Sequence, residues 1–293
     1  MTLSAEIAFA SSSRRRPVPW ATLLLVAAFA VFFVIPLVYL LSLSFYTFVQ
    51  PGVFAPDFTF DNYLRALTEP YAVNILLTSL RIATGTTIGC MLLGMPLAMF
   101  VAREKGWMPR AVLIVLAASL FTNLVVRAYG WMIVLGPKGF INTLALDTGL
   151  IDRPLRLLGN EVGIVIALVQ ELLPVFVIMA ASSIQAVERS QEEAAAISGA
   201  NWFAIFRRVI LPVSAPGIVT GSVLVFLMAL SSFVVPEFLG SGRVLTLATL
   251  IRQLISKVVN YPFAAALSVL LVLVIFMMLG VLTFGARLVR RKS

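Results

Sequence analysis

Six apolar runs, each about as long as a bilayer is thick, decide most of what this chain can become. A helix needs about 20 mostly apolar residues to cross the hydrocarbon core. The candidates are residues 20–46, 73–101, 111–135, 162–182, 215–239 and 263–288. The first follows SSSRRRPVPW, yet it far exceeds the 7–15 apolar residues of a signal-peptide core and ends without a small-residue cleavage pattern. It is expected to remain as a span. Hydrophobic residues make up 60% of the chain and charged ones 12%, against about 45–50% and 25% in soluble domains. The fold class is therefore an all-α integral membrane protein with about six transmembrane helices embedded in lipid.

Basic residues set the orientation, because cytoplasmic loops carry the excess of Lys and Arg. With the N-terminus inside, the inner segments hold Arg14, Arg15, Arg16, Arg103, Lys105, Arg110, Arg189, Arg207, Arg208, Arg287, Arg290, Arg291 and Lys292. The outer segments hold only Arg65, Lys138, Arg153, Arg156, Arg243, Arg252 and Lys257. Both termini are expected in the cytoplasm, and the net charge of +9 is mostly this bias, not a footprint for nucleic acid. The chain has no histidine and one cysteine, Cys90. That composition rules out a Ser-His-Asp triad, a His-based metal site and an intrachain disulfide.

No internal repeat and no separate soluble domain stand out. Residues 1–72 read as a cytoplasmic N-terminus, first span and outer loop, and 73–293 as a core of five spans. The Pro- and Asp-rich loop 47–71 is expected to pack on the outer surface. Loop 136–161 is amphipathic and suited to the interface.

One water-facing segment, QEEAAAISGANWFAIFRRVILP at 191–212, interrupts the apolar pattern between spans four and five. Ser190 and Glu193 fit a capping box, and Ala194, Ala195 and Ala196 form helix with little bulk. Gly199 suits a left-handed cap. Asn201 then caps a second helix with Trp202, Phe203, Phe206, Val209 and Ile210 on one face, Arg207 and Arg208 elsewhere, and Pro212 as its end. A small-residue helix of this kind suits close docking to another protein.

The spacing Glu193-Ala194-Ala195, Gly199, then Val209-x-Leu211-Pro212 resembles the E-A-A, G, I-x-L-P pattern of importer-type permease subunits of the ABC transporter superfamily, with valine in place of isoleucine. The resemblance covers roughly 73–288. It implies type I importer architecture in a bacterial inner membrane, with this loop as the coupling helix seated in an ATP-hydrolysing subunit. Glu193, Ala194, Ala195, Gly199, Leu211 and Pro212 are then the coupling residues. The implied partners are two copies of the nucleotide-binding ATPase, which holds ATP and Mg, a second homologous permease and an external solute-binding protein. No G-x-x-x-x-G-K-[ST] loop occurs here, so no catalytic site is expected in this chain. LFTNLVVRAYGWMIVLGPKGFIN, SSFVVPEFLG and NYPFAAALSVLLVL resemble the first permease of spermidine/putrescine importers. That resemblance implies alternating access for a polyamine. Another small solute, such as 4-aminobutyrate or an organic anion, stays open, because Ser231-Ser232 stands where such permeases often carry an acidic residue. An ATPase-independent channel or secondary transporter is the remaining class.

Charges inside spans are costly enough to need a reason. Glu171, just before Pro174, and Glu237, after Pro236, are candidate linings for a cationic solute, with the aromatic faces of Tyr129 and Trp131. Glu171 can equally pair with Arg81 or Arg127 and lock the bundle. Arg127 would repel a cation, so it is expected in a salt bridge or a gate. Gly85 and Gly89 form a small-xxx-small motif for close helix packing.

Overall fold

A computed structural model describes residues 20–292, leaving aside the side chains of residues 21, 23 and 281–292. Arg14, Arg15 and Arg16 lie outside the described residues, as do the side chains of Arg287, Arg290, Arg291 and Lys292. Six helical stretches among the described residues are long and apolar enough to cross a membrane. The chain divides into two compact units between Ser42 and Leu43. Helix α1 (Trp20–Leu43) is apolar on every side, with Pro36 in its interior.

The second unit begins with a hairpin, β1 (Thr47–Gln50) and β2 (Val53–Ala55). Its turn is Pro51-Gly52, where Gly52 takes φ +78° and proline presets the preceding corner. Helix α2 (Asp61–Thr68) follows. Phe45 stacks on Phe58 with centroids 4.8 Å apart and meets Phe60 edge-on at 5.4 Å. Buried Asn62 donates to the carbonyls of Ser44 and Tyr46. The 43–68 segment belongs to the second unit.

Helix α3 (Pro70–Arg103) has proline at its first turn, where the missing N–H costs nothing. It spans 34 residues, about 50 Å. The third apolar run is not one helix. Helix α4 (Trp107–Leu120) stops and α5 (Leu124–Leu135) restarts, because Asn123 turns its side chain onto the backbone N–H groups of Val125 (2.9 Å) and Val126. Asparagine competes for the backbone in this way wherever a cap is available. Helix α6 (Phe140–Asp147) follows a tight turn. Buried Asn142 there donates to the carbonyls of Gly136 and Leu155 and accepts from the Leu155 N–H.

Helix α7 (Glu161–Gln185) is the centre of the core. Short helices α8 (Arg189–Ile197) and α9 (Trp202–Ile205) lead through a π-helical turn at Phe206–Ile210 into α10 (Leu211–Ser231). Helices α11 (Val234–Leu239) and α12 (Leu247–Gln253) precede a second π turn, Leu254–Val258, and α13 (Tyr261–Lys292) closes the chain. The fifth apolar run therefore ends at Ser231, with α11 a separate piece.

Helices α3, α7 and α10 pack through small residues, as membrane helices do when dispersion rather than hydrophobicity holds them. A Cβ placed on Gly85 would meet Val165 at 3.4 Å, and one on Gly89 would meet Val169 at 2.6 Å. The Gly85–Gly89 motif thus packs on α7. Gly221 of α10 lies against Met179 and Phe176 of α7, and Phe176 is fully buried.

Candidate functional site

Two places concentrate the chemistry that the sequence singled out. The first is the 188–212 segment. Helix α8 starts two residues earlier than the capping-box reading requires. Glu188 is its N-cap, with no side-chain cap bond, and Ser190 already lies inside the helix. The Ser190 hydroxyl instead donates to the Glu188 carboxylate at 3.2 Å, so the Ser190–Glu193 box is not formed. The negative charge of Glu188 still suits the positive end of the helix.

The other end of α8 follows the sequence closely. Gly199 has φ +83°, its N–H donates to Ala196 at 3.0 Å and the Ala200 N–H to Ala195 at 3.1 Å. That pair of bonds is a Schellman cap, which needs a residue tolerant of the left-handed region. Asn201 caps α9 by accepting from the Ala204 N–H at 2.8 Å. Pro212 does not end the element. Residues 202–231 run as one helical stretch of 30 residues, because the wide turn at 206–210 precedes the proline and closes with Leu211 N–H donating to Phe206. A π turn displaces the carbonyl with which a proline ring would otherwise collide.

The surface of this segment is apolar where it is open. Ile197, Trp202 and Phe203 are 88%, 67% and 62% exposed, and Trp202 stacks on Phe206 at 5.7 Å. No residue of α8 is buried, Glu193 and Ala194 included; Leu211 is half-buried and Pro212 exposed. Arg207 and Arg208 are exposed as expected. A groove of about 440 Å³ lies between α3 and this segment, lined by Met99, Phe100, Arg103, Glu193, Trp202 and Ile205 among others.

The second place lies where α4, α5 and α7 converge. Arg127 donates to the carbonyls of Ser119 and Thr122, so it supplies donors that the interrupted end of α4 lacks. Glu171 is half-buried, and its Oε2 is enclosed without a hydrogen-bond partner. The charge of Arg127 acts on Glu171, but no contact ion pair joins them among the described residues. Arg81 is also not the partner of Glu171. It pairs with Glu161 at 2.9 Å, tying α3 to the start of α7. Trp131 donates from Nε1 to Gln170 at 3.1 Å, and Tyr129, 53% exposed, lies 5.0 Å from the Phe238 ring. Glu237 is engaged by Arg252 and does not offer a bare carboxylate.

Sequence reasoning missed Glu161, Gln170, Glu192 and Arg252. Each is one half of a contact across helices, and its only signal was being a polar residue at the edge of an apolar run. Among the described residues no cluster of His, Cys, Asp or Glu is arranged to hold a metal ion.

A family described as binding-protein-dependent transport system inner membrane component matches residues 94–290. The chain is 34% identical over 274 residues to the spermidine/putrescine transport system permease protein PotB of Haemophilus influenzae, covering 92% of this chain and 95% of that protein. The protein of the same name from Escherichia coli is 34% identical over 261 residues, 89% of this chain and 94% of its own. Among solved structures, the fold is similar to a chain of a bacterial ABC transporter involved in the import of the acidic polysaccharide alginate. The TM-score is 0.71 at 17% identity, over 93% of this chain and 94% of that one. At that identity the likeness is one of fold.

Proposed function

This chain belongs to the inner-membrane components of binding-protein-dependent transport systems, and from that premise we propose that it is the permease subunit through which a polyamine, putrescine or spermidine, enters the cell. It is a multi-pass permease of an ATP-driven importer; hydrolysis belongs to a separate ATPase, and a periplasmic binding protein serves the same complex. The finer assembly is part of the proposal. It comprises two ATPase copies holding ATP and Mg, one second permease homologous to this chain, and both termini in the cytoplasm.

The observation that carries the solute is the 34% identity to polyamine permeases along nearly the whole of both chains. The interior supports it. An unpartnered Glu171 oxygen is an acceptor suited to an ammonium group, Trp131 is held on the adjacent Gln170, and Tyr129 of the same helix as Trp131 offers a further aromatic face. The break at 121–123 is further support. Non-helical backbone at membrane depth is tolerated only against protein or water, yet Thr122 and Asn123 are exposed on the single chain. In the assembly they face the second permease or the aqueous path, with Arg127 as the gate or brace beside them. Glu237 sits in the same pathway, masked by Arg252, and Arg81 braces α3 to α7.

Transport proceeds by alternating access. Closure of the ATPase pair moves the 191–212 segment through Glu193, Ala194, Ala195 and Gly199, and the unbroken 202–231 helix, including Leu211 and Pro212, carries the displacement into the membrane. The test is ATPase activity of the reconstituted complex with its binding protein and putrescine, spermidine or 4-aminobutyrate. Stimulation by the two polyamines is the expected result. Stimulation by 4-aminobutyrate alone overturns the polyamine assignment.

A further inference from the structure

The end of α3 and the start of α8 are tied by three contacts that run in both directions. Arg103, the last residue of α3, donates from Nη2 to the carbonyl of Val187 at 3.1 Å. It also forms an ion pair with Glu192 of α8. Arg189 returns the connection, donating from Nη2 to the carbonyl of Arg103 at 2.7 Å. The side chains of Arg103 and Glu192 are only 16% and 22% exposed, so the pair is largely withdrawn from water.

We propose that Arg103 and Glu192 are positioning residues that make α8 a rigid extension of α3, so that a load on the 191–212 segment reaches α3 and α7 as well as α10. The inference rests on the reading of this segment as the ATPase contact. Helix α8 has nine residues and none of them is buried, and a helix so short does not persist in water on its own strength. Its far end is fixed, because Gly199 and Asn201 hand the chain to the continuous 202–231 helix. With only that end held, α8 would pivot about the glycine. The Arg103 guanidinium holds the near end through Nη2, which faces the Glu192 carboxylate and donates to the Val187 carbonyl; the longer arginine side chain and its permanent charge suit this reach better than a lysine. Half-buried ion pairs add little net stability, but they can fix which of several packings forms. Here the packing fixed is the angle between α8 and the two spans.

The test compares putrescine moved per ATP hydrolysed in the full reconstituted complex, carrying R103Q, E192Q, R103Q/E192Q or R103K. Expected is a drop of about fivefold or more for each single Gln variant, a double variant no worse than either single, and partial recovery with R103K. The ATPase should still co-purify, because Glu193, Ala194, Ala195 and Gly199 are unchanged in all four variants. E192Q leaves the bonds to Val187 and from Arg189 in place, so it carries the test where R103Q fails to accumulate. An unchanged ratio in E192Q overturns the proposal, as does a loss shared equally by R103K and R103Q. Gly199→Asp is the control for the underlying reading. Uncoupling by G199D with normal coupling in E192Q sinks the clamp alone, whereas normal coupling in G199D sinks the docking assignment itself.

Discussion

Replacing Gly89 by alanine should force α3 and α7 apart where they touch. The new methyl would lie 2.6 Å from Cγ2 of Val169, about 1 Å inside the usual carbon–carbon separation of roughly 3.5–4.0 Å. Val169 is 8% exposed and stiff at its β-branched χ1, so it cannot rotate away cheaply. Overpacking of this kind costs about 1–3 kcal/mol, which for a chain of this size lowers the melting temperature by roughly 2–12 °C. The protein supplies its own probe. Cys90, the one cysteine, is fully buried beside the contact, its Sγ 3.6 Å from the Val169 carbonyl. A thiol-reactive fluorophore therefore reports unfolding of the purified chain in detergent as Cys90 becomes accessible. Gly85→Ala, where the methyl would sit at 3.4 Å, should cost visibly less. Gly89→Ala combined with Val169→Ala should recover stability relative to Gly89→Ala alone. A Gly89→Ala melting curve that overlays the parent, or a double variant that melts lower still, refutes the close packing of these helices.

The other predictions use the same melt. Asn123→Ala removes the cap that restarts α5 and should destabilise by about 1 kcal/mol, whereas Asn123→Asp should be tolerated; equal loss in both would mean the cap is not what sets the break. Val259 holds φ +56°, a left-handed conformation that costs an L-residue roughly 1–2 kcal/mol. Its carbonyl accepts from the Gly52 N–H at 3.0 Å, which keeps the hairpin turn on this strained junction. Val259→Asn should therefore raise the melting temperature, and a lower one would show that the valine side chain contributes more than its backbone costs.

What the sequence determined by itself was everything written within a few residues. Hydropathy placed the apolar runs, Gly199 and Asn201 marked the corner of the 191–212 segment, and the spacing of Gly85 and Gly89 marked a close helix contact. Each of these depends on a backbone preference or on one helix face, so neighbours along the chain suffice. The tertiary structure decided the rest. The third run breaks at 121–123 although its hydropathy is continuous, because a single asparagine outcompetes the helix there and Arg127 satisfies the α4 carbonyls. The 202–231 helix passes through Pro212 because a π turn absorbs the ring. The charges chose partners that no local pattern names. Arg81 reached Glu161, 80 positions away, Arg252 took Glu237, and Arg103 took Glu192. The energy of an ion pair depends on which helix ends are brought together and how far water is excluded from them, and both are properties of the packed bundle.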